Sequence, residues 1–110
     1  MFKHVIGGTG GLPTSENYLN FQWVSPECNI LFSVTQMGKA LSCHFTSDKS
    51  GLRHLRQAIN EFAVFCFDIF PWSCMIIARV NRRSVGKLIT KCGFERLVGN
   101  GNNVVYIRRR

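Results

Sequence analysis

The chain has 110 residues, with 14 Lys and Arg against 6 Asp and Glu, and a formal net charge of +8. This length suits a single domain covering residues 1–110, and 45% apolar residues exclude an intrinsically disordered chain. No stretch approaches the ~18 consecutive apolar residues that a membrane-spanning helix needs. The first residues also lack the apolar segment of a signal peptide, so we expect a cytoplasmic protein.

Residues 1–17 contain several closely spaced glycines and predict a short strand followed by a loop. A phosphate-binding reading of Gly7 to Gly11 is not favoured. A Walker loop ends in Gly-Lys-Ser/Thr, and a dinucleotide-binding fingerprint needs a Gly where Pro13 stands. We therefore interpret the segment as a glycine-rich loop.

Three strands are predicted next, at residues 18–24, 29–36 and 40–46. These stretches are rich in aromatic and branched side chains, and turn residues such as Pro26 and Gly38 separate them. The short connections favour an antiparallel meander.

A helix of about five turns is predicted from Gly51 to the residue before Pro71. Its apolar residues recur every three or four positions: Leu52, Leu55, Ile59, Phe62, Cys66 and Ile69. Ser47, Asp48 and Ser50 precede it as candidate N-caps. The change of period from two to 3.6 marks the boundary between the strands and this helix.

The remaining third predicts strand, helix and hairpin. Residues 74–80 form a nearly continuous apolar run, as expected of a strand covered on both faces. A second helix has an apolar stripe of Val85, Leu88, Ile89 and Cys92, and Gly93 stands where a left-handed C-terminal cap is usual. Residues 94–98 and 103–108 flank an Asn-Gly turn and predict a hairpin.

This order, β-β-β-α-β-α-β-β over residues 18–110, comes with the run Val80-Asn81-Arg82-Arg83-Ser84 and the closing Gly93-Phe94. In both respects the chain resembles the GCN5-related N-acetyltransferase (GNAT) superfamily. The resemblance implies an α+β fold with a mixed, mainly antiparallel sheet and two helices. It also implies an acetyltransferase that moves an acetyl group from acetyl-CoA to an amine.

The resemblance also implies where the cofactor and the catalytic base lie. The pyrophosphate of CoA would meet the start of the first helix, where backbone N–H groups and the helix dipole favour an anion. The register leaves Asn81 and Arg82 as two candidates for the family's Asn. The residues assigned to cofactor binding are Lys49, Ser50, Gly51, Leu52, Arg53, Asn81 and Ser84. The candidate base is His44, the one titratable imidazole on the strand where the family often has Glu.

Two departures from the family pattern keep a second interpretation open. The strand carries no Glu, and the position of the family's proton-donating Tyr falls at Ile89, beside Leu88. A degenerate, non-catalytic member acting as an interaction or assembly protein is therefore the alternative. Compact GNAT-like proteins of bacteriophages are similar to such a chain, which would place it in the host cytoplasm or the virion.

The end of the first helix is apolar around most of its circumference, from Phe62 to Phe70. A helix that is apolar on all sides must be covered on all sides. Either the N-terminal segment and Trp72 cover it, or a second subunit or partner protein does. We assign a candidate interface for self-association or a protein partner to Phe65, Phe67, Phe70 and Trp72.

The positive charge is concentrated near the C-terminus, with nine basic residues and only Glu95 as an acid from Arg79 onward. Arg83, Lys87 and Lys91 recur every four residues and form a basic ridge on the second helix. Such a ridge suits contact with a polyanion, because phosphate contacts supply sequence-independent affinity. A nucleic-acid-associated module is thus a third interpretation.

Five cysteines without a Cys-x-x-Cys spacing indicate reduced thiols. Cys43 and His44 adjoin each other, but neighbours on a strand point to opposite faces and cannot share a site. Cys66 and Cys74 do not supply the paired spacing of a zinc site either. We expect neither a metal nor a catalytic thiol.

Overall fold

The computed structural model describes residues 1–5, 18–80, 83–100 and 103–110. The glycine-rich loop predicted within 6–17, Asn81 and Arg82 lie outside these ranges. Within them the elements are β1 Phe2–Val5, β2 Leu19–Trp23, β3 Ile30–Met37, β4 Ala40–Ser47, a 3-10 helix Lys49–His54, α1 Leu55–Ile69, β5 Met75–Val80, α2 Arg83–Thr90, β6 Glu95–Asn100 and β7 Asn103–Arg109. No helix in the described ranges is both long and apolar enough to cross a membrane.

All described strands join one sheet in the order β1-β2-β3-β4-β5-β7-β6. Every neighbouring pair is antiparallel except β4 and β5, which α1 connects as parallel strands. The predicted α+β class and the meander are confirmed, and β1 extends that meander by a fourth strand.

The two faces of the sheet have different roles. Phe21, Phe32 and Phe45 are direct partners across β2, β3 and β4, so their side chains share one face. Both α-helices pack there, and we call it the helix face. The opposite, or second, face carries the alternate residues, among them Asn20, Ser33 and His44.

The aromatic end of α1 is enclosed mainly by the chain's own phenylalanines. Phe62 stacks on Phe32 with ring centroids 4.2 Å apart. The ring centroid of Phe2 in β1 lies 5.4 Å from that of Phe62 and 4.8 Å from that of Phe65. The ring centroid of Phe21 lies 5.0 Å from that of Phe65. The N-terminal strand therefore covers Phe65, the first of the two alternatives that the sequence left open.

The predicted phase of the first helix is wrong at its start. Asp48 caps a 3-10 turn rather than an α-helix, and Leu52 within that turn is 59% exposed. A 3-10 helix has three residues per turn, which shifts the apolar face, so the buried stripe begins at Leu55. Ile69, in the last turn of α1, is also exposed.

The strand predicted to be covered on both faces is only partly so. Ile76 and Val80 of β5 are buried, whereas Arg79 is exposed on the second face. The helices cover one face only at this point. The C-terminal cap of α2 is as predicted: Gly93 has φ +84°, and the Phe94 N–H donates to the Ile89 carbonyl at 3.1 Å.

Arg110 closes the C-terminal end of α1 from a distant part of the chain. Its Nη2 donates to the carbonyls of Phe67 at 2.9 Å and Phe70 at 3.1 Å, and its Nε donates to the Ser73 carbonyl at 2.8 Å. The guanidinium also lies 4.9 Å from the Phe67 ring centroid. The Phe70 carbonyl also accepts from the N–H and hydroxyl of Ser73, so Arg110 joins the last turn of α1 to the segment that follows it, and a cation at this end of a helix is favourable.

We expect Arg110→Ala to lower the free energy of unfolding by about 1–2 kcal/mol, because it removes charge-assisted hydrogen bonds that hold α1. Urea unfolding followed by circular dichroism measures the change. Arg109→Ala is the matched control. Its side chain forms only an exposed ion pair with Glu95, and such pairs contribute about 0–1 kcal/mol. Equal losses in both variants would contradict a specific role for Arg110.

Candidate functional site

The central feature of the sheet is a divergence between β4 and β5. Their pairing runs from Ala40 opposite Met75 to Cys43 opposite Ala78 and ends there, although β4 continues to Ser47 and β5 to Val80. Beyond Cys43 the edge of β4 that faces β5 has lost its ladder, so its backbone N–H and C=O groups are available for hydrogen bonds from another molecule.

A groove of about 460 Å³ occupies the space that the divergence creates. Its walls come from β4, β5, the 3-10 helix, α1 and α2: Cys43, His44, Phe45, Thr46, Ser47, Leu52, Leu55, Ala78, Arg79, Val80, Val85 and Ile89. Most of these side chains are apolar and none is a carboxylate. The polar groups in the groove come from His44, Thr46, Ser47 and Arg79.

The two segments assigned to cofactor binding border this same groove. Lys49, Ser50 and Arg53 are exposed on the 3-10 helix, whose Leu52 lines the groove. Ser84 is exposed in the first turn of α2, and the next residue, Val85, lines the groove as well. Asn81, the remaining assigned residue, lies outside the described ranges. The fold thus brings residues 30 or more positions apart to one groove.

Gly51 is a glycine because of packing. It is buried, and a Cβ there would lie 2.8 Å from Cγ1 of Ile30 and overlap the Ser47 hydroxyl. Its N–H donates to Oδ1 of Asp48 at 2.8 Å, while Oδ2 of Asp48 accepts from the Asn29 N–H at 3.0 Å. The backbone amide expected to meet a pyrophosphate is therefore already paired with a carboxylate.

His44 lies on the second face, one residue beyond the end of the β4–β5 pairing, and it lines the groove. It is exposed, and its ring centroid is 6.1 Å from that of Tyr18. Ser33 stands directly opposite it on β3, fully buried, and the Ser33 hydroxyl has no hydrogen-bond partner among the described residues. Sequence reasoning missed Ser33 and Tyr18, since only the strand register places them beside His44.

Cys43 points to the helix face, away from His44. Its hydrogen bond with Cys66 and its burial both raise the pKa of the Cys43 thiol well above the ordinary value. The thiol therefore stays protonated near neutral pH and is not a nucleophile. In the described part of the chain no three His, Cys, Asp or Glu side chains are grouped to hold a metal ion.

The four residues of the candidate interface have different surroundings. Phe65 is enclosed by Phe2 and Phe21, and Phe67 lies beneath Arg110. Trp72 is 43% exposed and meets Phe70 edge to face at 5.8 Å. Self-association or a protein partner at this surface stays a prediction, with Trp72 as its most accessible member.

The basic ridge is exposed along α2 and just beyond it. Arg83, Lys87 and Lys91 all face solvent, and none forms an ion pair with a residue that the structure describes. The buried Ile89 lies on the opposite side of α2. Contact with a polyanion stays a prediction.

No known protein family and no curated protein matches this chain by sequence. Solved structures do match it. The N-acetyltransferase PseH of Campylobacter jejuni, in complex with acetyl coenzyme A, superimposes with a TM-score of 0.71 at 13% identity, over 87% of this chain and 70% of PseH. The chain has the GNAT fold. The fold resemblance drawn from the sequence is thereby confirmed.

Two further enzymes have the same GNAT fold. A mutant of the spermidine N-acetyltransferase SpeG of Vibrio cholerae matches with a TM-score of 0.69 at 13% identity, over 86% of this chain and 66% of SpeG. The aminoglycoside acetyltransferase AAC(6')-Ib, in complex with coenzyme A, matches with a TM-score of 0.66 at 15% identity, over 86% of this chain and 68% of that enzyme.

The chain thus spans about two thirds of the length of these enzymes. The structural superpositions establish the GNAT fold. At 13–15% identity they do not establish an activity, which has to be argued from the groove. The bacteriophage and assembly roles considered above gain no support from these three structures and stay predictions.

Proposed function

We propose that this protein binds acetyl-CoA in the groove between β4 and β5 and transfers the acetyl group to an amine. The observation that carries the proposal is the end of β4–β5 pairing at Cys43 and Ala78, which opens a groove of about 460 Å³ between two parallel strands. The same fold in PseH and AAC(6')-Ib is found in complex with acetyl coenzyme A and coenzyme A.

The residues present fit most of this cofactor. The pantetheine arm contains two amides, which match the backbone groups along the unpaired edge of β4. Lys49 and Arg53 are exposed on the 3-10 helix whose Leu52 lines the groove, and Ser84 is exposed beside the lining residue Val85, so we assign these cations and this hydroxyl to the phosphates. Because Asp48 already accepts from Gly51, these side chains rather than the Gly51 amide would hold the phosphates.

When bound, acetyl-CoA supplies an acetyl thioester whose carbonyl carbon accepts the amine. In this proposal His44, which lines the groove, takes the proton that the amine nitrogen gives up as the N–C bond forms and the C–S bond breaks. A water molecule held by His44 serves the same purpose if the amine stands further away. Leu88 and Ile89 offer no proton to the departing thiolate, so solvent at the groove supplies it.

We expect Leu52→Glu to weaken acetyl-CoA binding at least tenfold. Leu52 is exposed on the groove wall, so the variant retains its core, but the new carboxylate obstructs the groove and repels the phosphates. Isothermal titration calorimetry with acetyl-CoA measures the dissociation constant.

Leu97→Glu is the matched control, since Leu97 is 58% exposed, as Leu52 is at 59%, but lies on β6 and does not line the groove. It should bind acetyl-CoA as the wild type does. The absence of acetyl-CoA binding by the wild type at millimolar concentration would overturn the proposed function. Equal binding by both variants would show that the cofactor lies elsewhere.

A further inference from the structure

The groove has no negatively charged side chain among the described residues of its lining, whereas a cationic substrate would need one as a counter-charge. Among its lining side chains, His44 and Arg79 are the two that carry or can acquire positive charge, and none is a carboxylate. Asp48, next in the chain after the lining residue Ser47, is occupied by the N–H groups of Asn29 and Gly51. A polyamine bound here would have no counter-charge from the walls of the groove.

Arg79 lies across from His44 where β4 and β5 begin to diverge. Cys43 and Ala78 are the last paired residues of these parallel strands, and His44 and Arg79 are the next residue on each strand, so they stand at the mouth of the divergence and both line the groove. Side chains alternate along a strand, and Cys43 and Ala78 point to the helix face, so both Arg79 and His44 point to the second face. An acceptor that approaches from this face meets both.

The backbone of Arg79 is fixed in the sheet, whereas its side chain has no hydrogen-bond or ion-pair partner among the described residues. Its backbone pairs with Val105 of β7. The guanidinium is exposed and makes no hydrogen bond or ion pair with any residue in the described ranges. By contrast, Arg108 donates to the Cys92 carbonyl and Arg109 pairs with Glu95. Arg79 is thus a cation at the groove that is available to a ligand.

We propose that the acceptor is a small primary amine that also carries a carboxylate or a phosphate, and that Arg79 binds this anionic group while His44 faces the amine. The inference rests on the proposed acetyl transfer. A guanidinium binds carboxylate and phosphate through two parallel hydrogen bonds, which fixes orientation as well as charge. Paired strands lie about 4.8 Å apart, and more where they diverge. A single small molecule can span the distance between Arg79 and His44, so we infer that it carries both the anionic group and the amine.

The acceptor chemistry follows from this placement. With the anion on Arg79, the amine nitrogen stands beside His44 and bonds to the acetyl carbon as the thioester C–S bond breaks. His44 or its water takes the amine proton, and CoA leaves as the thiol. Spermidine, for which SpeG is named, is repelled by Arg79. The acceptor class of this chain therefore differs from the polyamine class.

The test compares matched acceptors with acetyl-CoA and the full chain, by release of the CoA thiol. The pairs are L-leucine against L-leucinamide and glucosamine 6-phosphate against glucosamine, with spermidine as the cationic acceptor. We expect kcat/KM to be at least tenfold higher for at least one anionic acceptor than for its neutral partner. Which pair shows the preference distinguishes carboxylate from phosphate.

Arg79→Gln should abolish that preference, with kcat/KM falling at least tenfold further for the anionic acceptor than for its neutral partner. It should also weaken binding of the corresponding product, N-acetyl-L-leucine or N-acetylglucosamine 6-phosphate, in calorimetry without acetyl-CoA. Arg96→Gln, on edge strand β6 away from the groove, is the control and should retain the preference.

The outcomes separate this inference from the proposed function. A kcat/KM for spermidine that equals or exceeds that of both anionic acceptors, or the absence of a preference in both pairs, overturns the inference and leaves acetyl transfer standing. Acetyl-CoA binding without turnover of either anionic acceptor also overturns the inference. Failure of the wild type to bind acetyl-CoA instead overturns the proposed function itself.

Discussion

Replacing His44 with glutamine is expected to lower kcat for acetyl transfer about 100-fold, the lower end of what a positioned general base contributes. Glutamine has a similar size and can form hydrogen bonds, but it does not take up a proton near neutral pH. His44 lies at the point where the β4–β5 pairing ends, so the loss falls on the chemical step. The dissociation constant for acetyl-CoA should stay unchanged, because the cofactor contacts the rest of the groove.

Steady-state kinetics at saturating acetyl-CoA, together with calorimetry, separates the two quantities. His4→Gln is the matched control, since His4 is likewise exposed on a strand but lies on β1, outside the groove. Its kcat should equal that of the wild type. An unchanged kcat in the His44 variant would assign the proton transfer to water alone and remove His44 from the mechanism.

Replacing Phe62 with alanine is expected to lower the free energy of unfolding by about 3–5 kcal/mol. Phe62 is only 3% exposed and its ring stacks on that of Phe32. The Phe2 ring meets it edge to face, and the Phe21 ring meets it at a tilt. Alanine leaves a cavity between α1 and the sheet that these rings cannot fill, because each is also held by other partners. Chemical denaturation with urea measures the loss.

Val64→Ala tests whether that cost is specific to the core. Val64 is two residues further along the same helix and 53% exposed, so its truncation should change stability by about 0.5 kcal/mol or less. Comparable losses at both positions would mean that α1 is stabilised by a surface outside the Phe62 cluster. A protein interface on the exposed side of α1 would then explain the result.

Local features were predictable because they depend on neighbours in the chain. Aromatic and branched residues between turn residues located β2, β3 and β4, and Gly93 ended α2 because a positive φ suits glycine. The start of the first helix was misplaced at Leu52. A capped 3-10 turn and an α-helix share the same capping residues, so Asp48 alone did not distinguish them.

The candidate site was predictable in part. Family resemblance named His44 and the segments around Lys49 and Ser84, and the fold brings them to the borders of one groove. Arg79 was not named as a site residue, because its significance depends on standing across from His44. That relation follows from the register of two strands joined by α1, which no local pattern encodes.

The sequence by itself determined the order of strands and helices, the excess of positive charge in the last third and the apolar character of α1. Each of these depends on residue type and spacing along the chain. Only the tertiary structure decided that β4 and β5 diverge after Cys43, that Phe2 covers Phe65 and that Arg79 and His44 line one groove. These are contacts between residues far apart in the chain, set by strand register and side-chain packing, so they exist only once the sheet has formed.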